Sequence, residues 1–362
     1  MQTPIRCYLM RGGSSKGLYF RREDLPADEA LRERVLVAAM GSDARQIDGA
    51  GGAHPLTSKV AIVSRSESSD TDVDYLFVQV VVGEGRVDTT PNCGNILAGV
   101  APFAIEEGIV PARDGETAVR VRMLNSDNLC ELLVQTPGKR VRYDGDARID
   151  GVPGSAAPIV CNYLDVAGSA TGSLLPTGRA LDVLDGIELT CIDNGMPVVV
   201  LRARDLGVRG YEMPQELEKN KELKERIESI RLKIGPKMNL GDVTKKVVPK
   251  MSLIAPARAG GHVCTRTFIP HDVHTAIGVL GAVSVATACI LPGSVARDIA
   301  TVPDGAVKRM SVEHPTGEFS VTLEVGGTRE RPTVLKAGLL RTARLIMRGE
   351  VLVPAAVWDG RR

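Results

Sequence analysis

The sequence predicts an α+β protein, mainly β, built as two pseudo-symmetric domains, each a barrel-like sheet around one central helix. Three observations predict it. Short β-branched runs bounded by Gly, Pro, Asp or Asn recur along the chain, the punctuation of antiparallel strands. Two segments share one form, a glycine turn opening a helix with small apolar residues on every face; such a helix has no polar side to offer water and belongs inside a barrel of strands. At 362 residues the chain exceeds one ordinary core, and about 150 residues per domain gives two domains.

In chain order, the first-half strands are expected at 59–64 (KVAIVS), 75–82 (YLFVQVVV), 118–124 (AVRVRML) and 130–135 (CELLVQ). The second half repeats the pattern at 188–192, 198–202, 252–254, 319–323 and 334–338. The first buried helix follows Asn92-Cys93-Gly94-Asn95 as ILAGVAPFAIEEG, and the second follows Ala276-Ile277-Gly278 as VLGAVSVATACIL. Segment 215–234 differs: it is highly charged, and Leu223, Ile227, Ile230 and Ile234 lie on one helical face. It reads as a surface helix inserted in the second domain. The turn-like LLPTGR before Asp182 marks the boundary, giving domains at 1–182 and 183–344, with a C-terminal strand at about 345–362 free to return to the first.

Composition narrows the function. Hydrophobic residues are 43% and charged residues 25%, as in a soluble chain with a sizeable core. The net charge of +1 supplies no field to recruit a polyanion, and 3% aromatics with a single Trp358 leave few stacking platforms, so no nucleic acid partner is expected. The longest small-apolar run, 276–291, is interrupted by Ser284 and Thr287 and is too short for a bilayer; the start lacks a secretory pattern. Seven cysteines without C-x-x-C spacing suit a reducing cytoplasm. The expected partner is a small polar ligand, and a homodimer is compatible with the chain.

The candidate chemistry starts at Asn92-Cys93-Gly94-Asn95. A thiol at the first turn of a buried helix meets free N–H groups and the helix dipole, which favour a thiolate or a ligand carboxylate, although most buried cysteines are structural. Lys59, after Ser58, opens an apolar strand; its amine either snorkels to water or points into a cleft, where desolvation would make it a base for carbon acids. Arg11-Gly12-Gly13-Ser14-Ser15-Lys16-Gly17 lacks the P-loop spacing and runs into Leu18-Tyr19-Phe20, a strand-like run where a P-loop needs a helix, so nucleotide binding is rejected. The turn is then either a carboxylate-binding loop or a hairpin with solvated charges. Asn194 and Met196 sit in the turn before the 198–202 strand, and Arg266, His271 and His274 lie just ahead of the second helix, which opens at Gly278-Val279. Lys250 completes the candidate binding set. His271 and His274 have metal-like spacing, but Pro270 interrupts a continuous helix and no third ligand is evident, so no metal is expected.

On these residues the chain resembles the PrpF-like proteins of the diaminopimelate epimerase superfold. The matching stretches are RGGSSKG (11–17), GSDARQIDGAGG (41–52), LTSKVAI (56–62), NCGNILAGV (92–100), CIDNGMPVV (191–199), GPKMNLGDV (235–243), RTFIPH (266–271) and GAVSVATA (281–288), in the family's order through most of the chain. Within the family it is most similar to the 4-oxalomesaconate isomerases of gallate and protocatechuate 4,5-cleavage, with 2-methylaconitate isomerases as neighbours. The resemblance implies two strand barrels around central helices, a ligand between the helix N-termini, and no cofactor. Epimerases of the superfold use two opposed cysteines; Cys93 matches the first while Gly278 stands near the second, which disfavours a two-thiol mechanism. Members with a lysine at the position of Lys59 use the amine as acid and base. The implied activity is a double-bond shift in an unsaturated oxo-tricarboxylate. The competing reading is a non-catalytic tricarboxylate-binding protein that docks through 215–234.

Overall fold

The structure, a computed structural model, describes residues 1–362 except 90–91, 165–166, 271, 329–331 and 362. Contacts divide the chain into two compact units: residues 1–164 with 340–362, and residues 165–339.

Unit 1 begins with β1 (Gln2–Gly12) and β2 (Ser15–Arg21), an antiparallel hairpin. Helix α1 (Glu29–Met40) follows, capped by Asp28, whose carboxylate accepts from Leu31 N at 2.7 Å. The chain then returns as β3 (Lys59–Arg65), parallel to β2, and turns into antiparallel β4 (Val73–Val81) and β5 (Arg86–Asp88). After α2 (Gly94–Leu97) and α3 (Val100–Glu106) come β6 (Gly115–Met123), parallel to β4, then β7 (Asn128–Thr136) and β8 (Ile159–Leu164). Strand alternation sorts the side chains. Leu18, Phe20, Val60, Ile62, Val78 and Val80 form one core with Val35, Leu36, Ala39 and Met40 of α1. The opposite, inner face packs on α2 and α3, which touch β1, β2, β3 and β7.

Unit 2 repeats this order. It runs β9 (Asp182–Leu184), β10 (Ile187–Asp193), β11 (Pro197–Arg202), α4 (Pro214–Lys219), α5 (Lys221–Ile234), β12 (Lys250–Ala255), β13 (Val263–Ile269), β14 (Asp272–Val273), α6 (Val279–Ile290), β15 (Val307–His314), β16 (Gly317–Gly327) and β17 (Pro332–Arg341). Antiparallel β10–β11, parallel β11–β12, antiparallel β12–β13 and parallel β13–β15 match β1–β2, β2–β3, β3–β4 and β4–β6 step for step. Helix α6 touches β10, β11, β15 and β16, while α4 and α5 cover the other face over Leu189, Val199, Leu201, Met251, Leu253 and Phe268. The chain returns to unit 1 as β18 (Ala343–Pro354), antiparallel to β1.

Four expectations change. The first buried helix is not continuous: Pro102 has no N–H to give the Ala98 carbonyl, so the ladder breaks between α2 and α3. The charged segment breaks at Asn220, whose φ of −82° and ψ of 83° leave the helix and whose Oδ1 caps Leu223 N at 3.1 Å. Nor is it an insertion, because it is the crossover joining parallel β11 and β12, the job α1 performs between β2 and β3. The boundary expected near residue 182 falls at 164/165, because the Asp193 carboxylate accepts from Ala170 N, Thr171 N and Thr171 Oγ1 and holds that loop in unit 2. Among the described residues no helix is long and apolar enough to cross a membrane.

Candidate active site

The inner face of unit 1 gathers the predicted chemistry. Lys59, the first residue of β3, pairs with Gly17 on β2 and Gln79 on β4. The period of two puts it on the face of Ala61, Tyr19 and Phe77, away from the α1 core. It is 8% exposed. Its Nζ donates to Gln79 Oε1 at 2.8 Å and lies 4.8 Å from the centroid of the Phe77 ring. The amine is thus turned inward, toward Gln79 and Phe77, and does not snorkel to water.

Two tyrosines on the same face bind the backbone of the Cys93 segment. Tyr19 Oη donates to Ile96 O at 2.7 Å, and Tyr75 Oη donates to Cys93 O at 3.3 Å. Burial raises both phenols well above their ordinary range, so they remain neutral donors. Cys93 caps α2 and is 9% exposed. The sequence anticipated the dipole of a long helix at this thiol; α2 supplies one turn. Burial pushes Cys7 to about 11 and Cys161 and Cys289 to about 12, and also raises Cys130, Cys191 and Cys264. All seven thiols are free.

The 11–17 turn is a hairpin laid against the start of this helix. Gly13 has φ +52°, and a Cβ there would overlap Asn95 Oδ1. Asn95 Nδ2 donates to Ser14 Oγ at 3.2 Å. Ser15 is 1% exposed, lies on the strand face of Gly17 and Tyr19, and its Oγ has no hydrogen-bond partner among the described residues. A buried hydroxyl without a partner is uncommon in a folded chain. Lys16 is half-buried opposite Arg11.

Other expected site residues serve the scaffold. Arg11 Nη1 donates to Gly13 O, Thr342 O and Thr342 Oγ1 at 2.7, 3.1 and 2.9 Å, so that nitrogen stitches the hairpin. Ser58 is fully buried, and its one hydroxyl proton has Gln46 Oε1 and His54 O as acceptors at 2.5 and 2.9 Å, pinning the 41–57 loop. Asn92 is exposed and donates to Ser126 Oγ.

In unit 2, Lys250 opens β12 opposite Val198 of parallel β11. It shares the inner face with Ser252, whose Oγ is 2.9 Å from Thr267 Oγ1. Burial first and Arg231 second bring its amine down to about 8. His274 is lowered by burial and by Lys250, and its Nδ1 accepts from Ala276 N at 2.9 Å on the way into α6. Gly278 caps α6 and is exposed, with Val279 half-buried behind it. Asn194 is committed to the scaffold: its N donates to Ser284 Oγ at 3.1 Å and its Nδ2 to Thr287 Oγ1 at 2.8 Å, while Met196 O accepts from Ser284 Oγ at 2.7 Å.

Arg266 departs from expectation. Period two puts it with Phe268 on the face covered by α4 and α5, where Nε donates to Glu212 O at 2.6 Å and Nη1 to Thr265 O at 2.7 Å. His271 lies outside the described residues. Among the described residues no three His, Cys, Asp or Glu side chains form a metal-holding group. Sequence reasoning missed Gln79, Phe77, Tyr19 and Tyr75, because only the strand register shows that they flank Lys59 and Cys93.

The profile of the PrpF protein family matches residues 2–354. The chain is 59% identical over 348 residues to a (4E)-oxalomesaconate Delta-isomerase of a Novosphingobium species, covering 96% of this chain and 97% of the relative. It is 56% identical over 360 residues to a 4-oxalomesaconate tautomerase of Pseudomonas putida, covering 99% of both. The crystal structure of a methylitaconate-delta-isomerase superposes with a TM-score of 0.87 at 33% identity, over 98% of this chain and 97% of the other.

Proposed function

We propose that this chain, which belongs to the PrpF family and is an isomerase, moves a carbon–carbon double bond of 4-oxalomesaconate by proton transfer, in the catabolism of aromatic acids. The observation that carries this reading is the buried, inward-facing amine of Lys59 on the same face as the Cys93 segment. A C–H beside a double bond conjugated with carbonyls is acidic, because the electron pair left behind spreads to oxygen. Lys59 Nζ takes that proton, the pair moves through the conjugated system, and the resulting dienolate takes the proton back at the far allylic carbon. One base thereby completes the shift, and no electrons are gained or lost.

Cys93 lines the same face and assists the transfer. Ser14, Ser15 and the Asn95 amide supply neutral donors to a carboxylate or to the enolate oxygen, where preorganised donors lower the barrier. Within unit 2, Lys250 is separately proposed as a cationic group for a carboxylate. Arg266, Ser58 and Asn194 are left out of the binding set, since Arg266 Nε and Nη1, Ser58 Oγ and Asn194 Nδ2 bond the scaffold.

The test is to incubate the purified protein alone with 4-oxalomesaconate and follow the ultraviolet band of the conjugated system, with 2-methylaconitate and methylitaconate in parallel. Turnover of the first without any partner protein supports the reading and removes a non-catalytic role. Preference for a methyl-substituted acid reassigns the substrate, and inertness toward all three overturns the proposal.

A further inference from the structure

The amide of Gln79 is oriented by its own hydrogen bonds. Nε2 has three carbonyl acceptors for its two N–H groups, Ser58 O at 2.9 Å and Pro55 O and Val80 O at 3.2 Å, and an amide nitrogen carries donors only. That commitment fixes which end faces Lys59: the oxygen, 2.8 Å from Nζ. Phe77, two residues earlier and on the same face, presents its ring to the same nitrogen. The amine is therefore held from two sides by groups that carry no charge, in a direction set by the loop ahead of β3.

We propose that Gln79 is the positioning residue of the isomerase, holding the Lys59 amine on the line of proton transfer through a carbonyl oxygen that can accept from it but cannot donate. The inference rests on the reading of Lys59 as the proton-transfer group. A neutral acceptor here has a chemical consequence. It orients the amine without adding a charge, whereas a carboxylate at this position would favour the ammonium form and oppose its release of the proton. Among the described residues, the titratable groups that the register places on the face of Lys59 include Tyr19 of β2, Tyr75 of β4 and Asp88 of β5, opposite Gln79, and Tyr75 bonds the carbonyl of Cys93 at the start of α2.

The test compares Gln79→Met and Gln79→Glu with the unaltered protein in kcat, KM and the pH dependence of kcat. Gln79→Met is expected to lower kcat by about 10²-fold, the cost of a misplaced catalytic group, with KM nearly unchanged. Gln79→Glu is expected to move the ascending limb of the profile upward by about one pH unit or more, with kcat recovering at alkaline pH. A role confined to the 55–58 loop would lower the melting temperature and leave the limb in place, and that result overturns the proposal. So does unaltered kcat in Gln79→Met. Should Gln79→Met not fold, Gln79→Asn, which withdraws the amide by one methylene, is judged by the same kcat and limb. A fully active Lys59→Met protein defeats the function reading itself, whereas an inactive Lys59→Met alongside unaltered Gln79 variants defeats only the positioning role.

Discussion

Lys59 and Lys250 hold the same position in the two repeats: each is the first residue of the strand that runs parallel to the second strand of the opening hairpin, at Gly17 and Val198 respectively. Their surroundings differ. Lys59 faces Gln79 across an antiparallel ladder, whereas the ladder between β12 and β13 begins one residue after Lys250, at Met251 opposite Phe268. One repeat holds its amine by an amide; in the other, burial first and Arg231 second disfavour its charge. The same backbone position thus presents one amine held by a neutral amide and another whose charge is opposed by its surroundings.

That opposition gives a signed expectation. With its amine at about 8, Lys250 is an ammonium below that pH and a neutral amine above it. If the ammonium binds a substrate carboxylate, KM is low below pH 8 and rises as the pH climbs through 8. His274, lowered by burial and Lys250, is already neutral at pH 8 and does not produce this step. Lys250→Met should show a raised KM with no step near pH 8. Initial rates between pH 6.5 and about 9.5 check it, a range chosen to bracket the ordinary pKa values of histidine and lysine. A step that survives in Lys250→Met removes Lys250 from the binding set.

Lys59 and Cys93 should differ in what their loss costs. A shift along one face needs one base, so Lys59→Met is expected to abolish turnover by several orders of magnitude. Cys93→Ser, which removes an assisting group, should cost on the order of 10²-fold. Single-turnover rates for both variants, with circular dichroism to establish folding, give the comparison. Near-total loss in both would mean that the proton passes through a lysine–cysteine pair.

The strands that carry these residues were legible because local chemistry specifies them. Residues 59–64 and 75–82 are β-branched runs between turn residues, and the structure has strands at Lys59–Arg65 and Val73–Val81. The return of the C-terminal strand to the first unit was legible too, as β18 pairs with β1. Helix α1 was overlooked although Val35, Leu36, Ala39 and Met40 mark one buried face of it and Asp28 caps it. The break at Pro102 was likewise written in the sequence and read past. Gln79 was not legible, because it meets Lys59 only through a long-range ladder that no local pattern encodes. The face taken by Arg266 was not legible for the converse reason: nearness in sequence to α6 says nothing about which face of β13 a side chain takes.

Arg266→Ala should accordingly be a stability variant. Its guanidinium donates to the carbonyls of Glu212 and Thr265 from a position 6% exposed. Removing it leaves those acceptors short of a partner, at about 1–3 kcal/mol per unsatisfied buried group. Chemical denaturation is expected to show a loss of that order, with KM of the folded fraction unchanged. A raised KM at full stability would return Arg266 to the carboxylate-binding set.

Gly17 offers the most local test of how the fold delivers the amine. It stands opposite Lys59 in the parallel β2–β3 pair, and a Cβ built on it would overlap the Lys59 carbonyl oxygen and carbon. Both are backbone atoms, so no rotamer change relieves the overlap; β3 must move at its first residue. Gly17→Ala is therefore expected to displace the start of the strand that carries Lys59 while leaving the α1 core, built from Leu18, Phe20, Val60 and Ile62, in place. The outcome should be a kcat lowered by about 10²-fold, as expected for a catalytic group displaced by an ångström, with a smaller change in KM and a modest fall in melting temperature. Gly85, at φ +60° with open space around its Cβ, is the control: Gly85→Asn should leave kcat unchanged, since asparagine tolerates that backbone conformation. Full activity in Gly17→Ala would show that the position of Lys59 does not depend on the close approach of β2 and β3.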